Sequence, residues 1–153
     1  MKKSACIALV LLAGCGGGVD PAATKVEIEA LVKKYHEAFD QADVKTVLDL
    51  LDPAISISRP TEGFVRGKDT CGPELEKAMT RLKEQNKVGK RSTLFGSIHV
   101  EVEGNTAVAT YLAFIREDKD QSNAIFTRVF RRTDQDPKWR ILSEHYSFES
   151  QQK

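Results

Sequence analysis

Arg128 sits between Phe126 and Phe130 in a run of alternating character, and Glu144 lies between Leu142 and Tyr146 in the run that closes the chain. Alternation puts Phe126, Arg128 and Phe130 on one face of one strand, and Leu142, Glu144, Tyr146 and Phe148 on one face of the other. A guanidinium beside a carboxylate among aromatic walls could orient a polar ligand, because paired charges resist desolvation better than a lone one. The same pattern also describes a cross-strand ion pair on a wet surface, with the aromatic residues in an ordinary core. Tyr35, in an N-terminal helical stretch, could close a site over the pair. The remaining reactive side chains are scattered. His36, His99 and His145 lack the spacing of a local metal motif, so no metal site is expected. Cys71 opens a helical stretch, a position that can favour a thiolate, yet a lone cysteine is also an ordinary small packing residue.

The elements that must hold these residues are visible in the periodicity. Thr24 and Glu27 have the spacing of a capping box, so a helix is expected to begin near Lys25. Ile28, Leu31, Val32, Tyr35, Phe39 and Ala42 recur at three- and four-residue steps and form its buried face. Asp43 can cap a second, short helix carrying Val44, Val47, Leu48 and Leu51, which Asp52-Pro53 stops. Ile55 and Ile57 alternate with serines as a strand, and Phe64-Val65 reads as another. A third helix is expected from Asp69 towards Asn86, with Pro73 tolerated in its first turn. From Arg91 the period changes to two, with Leu94, Gly96, Ile98, Val100 and Val102 on one face. A turn at Glu103-Gly104-Asn105 leads into a long strand from Thr106 to Arg116. A polar loop from Glu117 to Ser122 precedes strands over 124–132 and 139–148. Helices first and long hairpin-linked strands afterwards define an α+β domain, a curved antiparallel or mixed sheet wrapped around three N-terminal helices.

Composition limits the partners. The 153 residues are 41% hydrophobic and 29% charged, the balance of an ordinary folded chain. The start of the chain differs from the rest. Lys2 and Lys3 form a basic head, Ala5 to Ala13 an apolar run, and Leu12-Ala13-Gly14-Cys15 a small-residue cleavage site, the order of a secretory signal. The stretch from Ser4 to Gly14 is far shorter than the ~20 apolar residues a bilayer-spanning helix needs. Its ending on Cys15 resembles the bacterial lipobox, in which the cysteine becomes the lipidated N-terminus of the mature chain. The expected organisation is a signal over 1–14, a glycine-rich tether over 15–23 and a domain over 24–153, lipid-anchored in the cell envelope. Gly16 after the cysteine resembles the signal for outer-membrane retention, with the domain facing the periplasm if the host is Gram-negative. Losing Lys2 and Lys3 with the signal reduces 23 basic residues to 21 against 22 acidic ones, which offers no general attraction for nucleic acid. Cys6 leaves as well and Cys15 is acylated, so Cys71 keeps the remaining thiol and no intramolecular disulfide is expected.

The order of elements and several local runs resemble the SnoaL-like domains of the nuclear transport factor 2-like superfamily. The likeness is carried by Trp139 to Ser147 as the closing strand and by Gly67-Lys68-Asp69 at the third helix. Tyr35-His36-Glu37-Ala38-Phe39, Ala42-Asp43 and Leu50-Leu51-Asp52-Pro53 resemble the opening helix pair, and the match spans about residues 24–149. Thr127 to Arg132 and Ile98-His99-Val100-Glu101 are also similar to the association domain of calcium/calmodulin-dependent protein kinase. That resemblance implies that Arg128 lines a deep cavity between helices and sheet. It also implies that further cavity arginines of that family fall here on Phe114 and Tyr146, and that Cys71 lies at the cavity mouth. With Tyr35, Phe39 and Glu144, these are the candidate cavity residues. The implied function is binding of a small, partly polar molecule without a cofactor. The alternatives are an isomerase, dehydratase or hydrolase, and an assembly module, since sheets of this superfamily commonly pair back to back. A homodimer is therefore expected, with Ile125, Val129 and Ile141 on outward parities as its contact. For catalysis the chain offers Arg128 and Glu144 but no clear second inward carboxylate, which favours binding over reaction.

Overall fold

The computed structural model describes residues 20–59 and 63–148. Residues 1–19, with Cys15, the signal and the glycines of the tether, lie outside the described residues, as do 60–62 and 149–153. Helix α1 spans Pro21–Asp40 and starts before the capping-box position. Asp20 caps it, its carboxylate accepting from the Ala22 N–H at 2.9 Å, and Pro21 occupies the first turn, where no N–H is needed. Thr24 is instead a buried residue of the helix, and Pro21 to Ala23 are helical rather than tether. Helix α2, Val44–Asp49, is capped by Asp43 as expected, with Thr46 N–H at 3.1 Å and Thr46 Oγ1 at 2.6 Å from its carboxylate.

Leu51, Asp52 and Pro53 do not end α2 but open strand β1, Leu51–Arg59. Pro53 falls where the pairing of β1 is irregular, between Leu51 and Ser56, so its missing N–H interrupts no regular ladder. Strand β2, Gly63–Arg66, pairs antiparallel with β1. Gly67, at φ +83°, turns the chain into helix α3, Lys68–Glu84. Its N–H donates to Ile55 O at 2.8 Å and its carbonyl accepts from Cys71 N–H at 2.9 Å, a left-handed junction that glycine adopts without a Cβ penalty.

Strands β3 (Arg91–Glu103), β4 (Thr106–Glu117), β5 (Asp120–Arg131) and β6 (Arg140–Phe148) form an antiparallel meander. Strand β6 then pairs parallel with β1, giving one mixed, open sheet of order β2-β1-β6-β5-β4-β3. The polar loop expected over 117–122 is mostly strand, because Asp120 and Gln121 pair with Glu117 and Arg116. Its polarity reflects an exposed hairpin end. Helix α1 packs across β3 and β4 while α3 packs across β1 and β2, and the core lies between the helices and the inner face of the sheet. Ile28, Val32, Val47, Ile55, Met79, Phe130 and Ile141 are fully buried there.

Two register breaks decide which side chains face that core. The pairing of β3 with β4 shifts between Phe95 and Ile98. Thr93 and Phe95 are therefore half-buried while Leu94 and Gly96 are exposed, so Leu94 does not share a face with Ile98. A second shift lies between Val129 and Phe130 opposite β6. It turns Ile141 inward, where it is 1% exposed, and removes it from the outward contact expected for a homodimer. An extra residue on one strand inverts every parity beyond it, which simple alternation does not anticipate.

Candidate functional site

Three successive rows of the inner face build the site. Phe130 faces Ala107 and Ile141; the next row carries Ala109, Arg128, Glu144 and Ile57; the third carries Tyr111, Phe126 and Tyr146. The first row is solid core. The other two rows supply Ile57, Arg128, Glu144, Phe126 and Tyr146 to a space that Tyr35, His36 and Phe39 of α1 and Leu75 and Ala78 of α3 cover without filling. The result is a cavity of about 250 Å³, just below the range of roughly 300–1,000 Å³ typical of small-molecule pockets.

Arg128 is 0% exposed and Glu144 6%. They occupy directly opposed positions on β5 and β6, and Arg128 Nε donates to Glu144 Oε2 at 2.6 Å while Nη2 lies 2.5 Å from the same oxygen. The ion pair is thus buried against the cavity rather than set on a wet surface. Tyr35 lies over the guanidinium, 3.9 Å from Cζ to ring centroid, with Phe126 at 5.4 Å and Tyr111 at 5.8 Å, distances at which the aromatic quadrupole attracts the cation. Burial works against the charge of Arg128, but Glu144 and the Tyr111 and Tyr35 phenols more than offset it, so its pKa is raised. Nη1 is buried and meets no acceptor among the described residues.

The alternation of β4 brings in a second polar pair. Tyr111 Oη and His36 Nε2 are 2.9 Å apart, inside a cluster in which the His36 ring meets Tyr35, Phe95, Tyr111 and Phe126 edge to face. Burial, then the charges of Arg128 and Arg91, hold the His36 imidazole well below its usual pKa. It is neutral at pH 7. Burial also pushes the Tyr111 phenol well above its ordinary value. Arg91 lines the cavity beside Phe39, its Cζ 5.4 Å from that ring. Its Nε donates to Asp40 at 2.8 Å and its Nη1 to Glu117 at 3.3 Å, and Glu117 also accepts from Lys87.

Of the seven candidate residues, Tyr35, Phe39, Arg128, Glu144 and Tyr146 line this cavity. Phe114 does not. Ala113 and Ile115 are the buried neighbours on β4, so alternation sends Phe114 to the outer face, opposite Leu94. Cys71 is 0% exposed in the first turn of α3 and does not line the cavity mouth, which leaves a substrate no approach to its sulfur. Periodicity overlooked His36, although Ile28, Val32, His36 and Asp40 follow one another at four-residue steps and all four are buried. Arg91 was hidden by the β3 register break. Among the described residues no group of three or more His, Cys, Asp or Glu could hold a metal ion.

No curated protein matches the sequence. Among solved structures, a protein provisionally named a dehydratase of the nuclear transport factor 2-like family, from Streptomyces avermitilis, superposes with a TM-score of 0.71 at 19% identity, over 85% of this chain and 99% of that one. The association domain of C. elegans CaMKII gives 0.68 at 15% identity, over 83% and 97%. A protein provisionally named a ketosteroid isomerase, from Shewanella frigidimarina, gives 0.62 at 19%, over 85% and 98%. At these identities the similarity establishes the fold, the nuclear transport factor 2-like, cystatin-like arrangement. The family model for the SnoaL-like domain matches residues 28–150, and the chain belongs to the SnoaL-like domain family.

Proposed function

We propose that this domain binds a small, partly polar molecule in the cavity between its helices and sheet, and that Arg128 orients it. The observation that carries this reading is a completely buried guanidinium on the cavity wall with one nitrogen that meets no acceptor among the described residues. A charge held in a core has to be satisfied, and an arrangement that leaves a donor over suits a ligand with an acceptor atom. The test is capture of small molecules from an envelope extract, read by mass spectrometry. Wild type should retain a compound that Ala78→Trp, which fills the cavity from α3 and leaves Arg128 and Glu144 in the sequence, does not. Retention by both, or by neither, would remove the reading.

The N-terminal sequence supports membrane anchoring through lipid on Cys15 in the cell envelope. Cys15→Ser should leave unprocessed precursor and abolish lipid labelling; normal processing and membrane retention would reject it. A homodimer through the outer face of the sheet fits the exposed Leu94 and Ile125, at 57% and 44%, beside half-buried Phe114 and Val129. The fold shared with an association domain supports it. Monomeric sedimentation at micromolar concentration would remove it.

One observation favours a reaction. Neutral His36 lines the same cavity as the Arg128–Glu144 pair and offers an unprotonated ring nitrogen, and relatives of this fold bear the names of a dehydratase and an isomerase. An enzyme of that kind would lose turnover but keep binding in His36→Gln. Recovery of the captured compound chemically unchanged after prolonged incubation would exclude it for that compound.

A further inference from the structure

We infer that the cavity selects an uncharged, planar molecule carrying an acceptor oxygen and disfavours the corresponding anion, because the charge of Arg128 is already matched by Glu144. The inference rests on the binding reading above and specifies its ligand class.

Among the described residues the charges in and around the cavity are balanced. Arg128 directs both Nε and Nη2 to one oxygen of Glu144, at 2.6 and 2.5 Å, and only its Nη1 lacks an acceptor among the described residues. What remains is a hydrogen-bond donor rather than an unmatched charge. Arg91 is matched by Asp40 and Glu117, and Lys87 by Glu117. His36, on α1, is neutral, and α3 contributes only Leu75 and Ala78 to the lining. Arg91, Lys87 and Arg128 thus face Asp40, Glu117 and Glu144. An entering carboxylate would be a surplus negative charge beside Glu144, removed from water without a free cation among the described cavity residues to compensate it. A carbonyl or amide oxygen could accept a hydrogen bond from Nη1–H without that cost.

The walls indicate the shape. Tyr35 and Phe39 lie nearly parallel, 6.4 Å between centroids at 19°, and Phe126 and Tyr146 stack at 5.4 Å and 27°. All four line the cavity. Flat aromatic faces around a volume of about 250 Å³ suit a single substituted ring.

Benzamide and benzoate have the same ring and nearly the same size but differ in charge. Titration calorimetry of the purified protein at pH 7.5 should show benzamide binding at least about tenfold more tightly than benzoate, with Ala78→Trp abolishing both. In Glu144→Gln, where Arg128 is unmatched, the ratio should move about tenfold or more towards benzoate. Equal affinity, or tighter benzoate, in wild type would overturn the inference while leaving cavity binding intact. An unchanged ratio in folded Glu144→Gln would overturn the assignment of the selectivity to Glu144. Binding of neither probe would remove the binding reading and this inference together. The wild-type comparison decides the matter even if Glu144→Gln does not fold.

Discussion

Two adjacent rows of one sheet face are buried almost equally and by opposite means. Phe130 and Ile141 are each 1% exposed, whereas Arg128 is 0% and Glu144 6%. The first pair joins a continuous apolar core, where burial itself stabilises by roughly 25 cal/mol per Å². The second pair is tolerated because each charge meets the other at contact distance, an arrangement that a core of the same volume does not need. The cavity opens where the polar row begins. The half of the inner face that only has to be stable is packed solid, and the half that carries charge borders the cavity.

The largest effects should come from breaking the two rows in different ways. Glu144→Ala leaves a buried cation alone and should cost about 3–5 kcal/mol in urea unfolding. Adding Arg128→Met and making position 144 Met as well should recover most of it, because apolar replacement of a buried pair is often neutral or better. A double variant as unstable as the single one would show that the pair is structurally required. Phe130→Ala should cost a similar ~3–5 kcal/mol through cavity formation, yet leave the preference between benzamide and benzoate unchanged. A shift in that preference would mean that the two rows are not independent.

A smaller effect is read by pH at His36, on the helix that covers the polar row. The folded pKa of His36 lies well below 6.5, so below about pH 6.5 the unfolded chain binds a proton that the native state refuses. The contribution of His36 is fully present above pH 6.5 and declines as pH falls towards the folded pKa, by up to about 1.4 kcal/mol per pH unit. His36→Gln should flatten that slope between pH 6.5 and 5 in denaturation curves. An unchanged slope would contradict a neutral buried imidazole. The smallest effect belongs to the outer face, where Ile125→Lys should alter unfolding by no more than about 0.5 kcal/mol while shifting any dimer to monomer in sedimentation.

The same two rows show what the sequence could and could not reveal. Period-two alternation placed Phe126, Arg128 and Phe130 on one face, and period-three-and-four spacing placed Tyr35 and Phe39 on the buried side of α1. Both signals are local, and both carry over to the folded chain. Whether Arg128 and Glu144 met in a cavity or at a surface could not be read from them, because that depends on what covers the sheet. Ile141 and Leu94 were assigned to the wrong faces because a one-residue break in pairing leaves the composition of a strand unchanged. Phe114 is placed inward only by the resemblance, and because its strand is apolar on both faces the sequence alone offers no alternation to correct that; the burial of Ala113 and Ile115 does. His36 lay on the four-residue row through Ile28 and Val32, but a histidine beside Tyr35 reads as polar until the opposing Tyr111 hydroxyl is known.

The most direct test of the central claim, that the buried pair serves the cavity and not only the core, is native mass spectrometry of the small molecule retained by wild type and by the folded Arg128→Met/Glu144→Met double variant. Wild type should carry the adduct and the double variant should not. The same adduct on both proteins, or none on wild type, would contradict it.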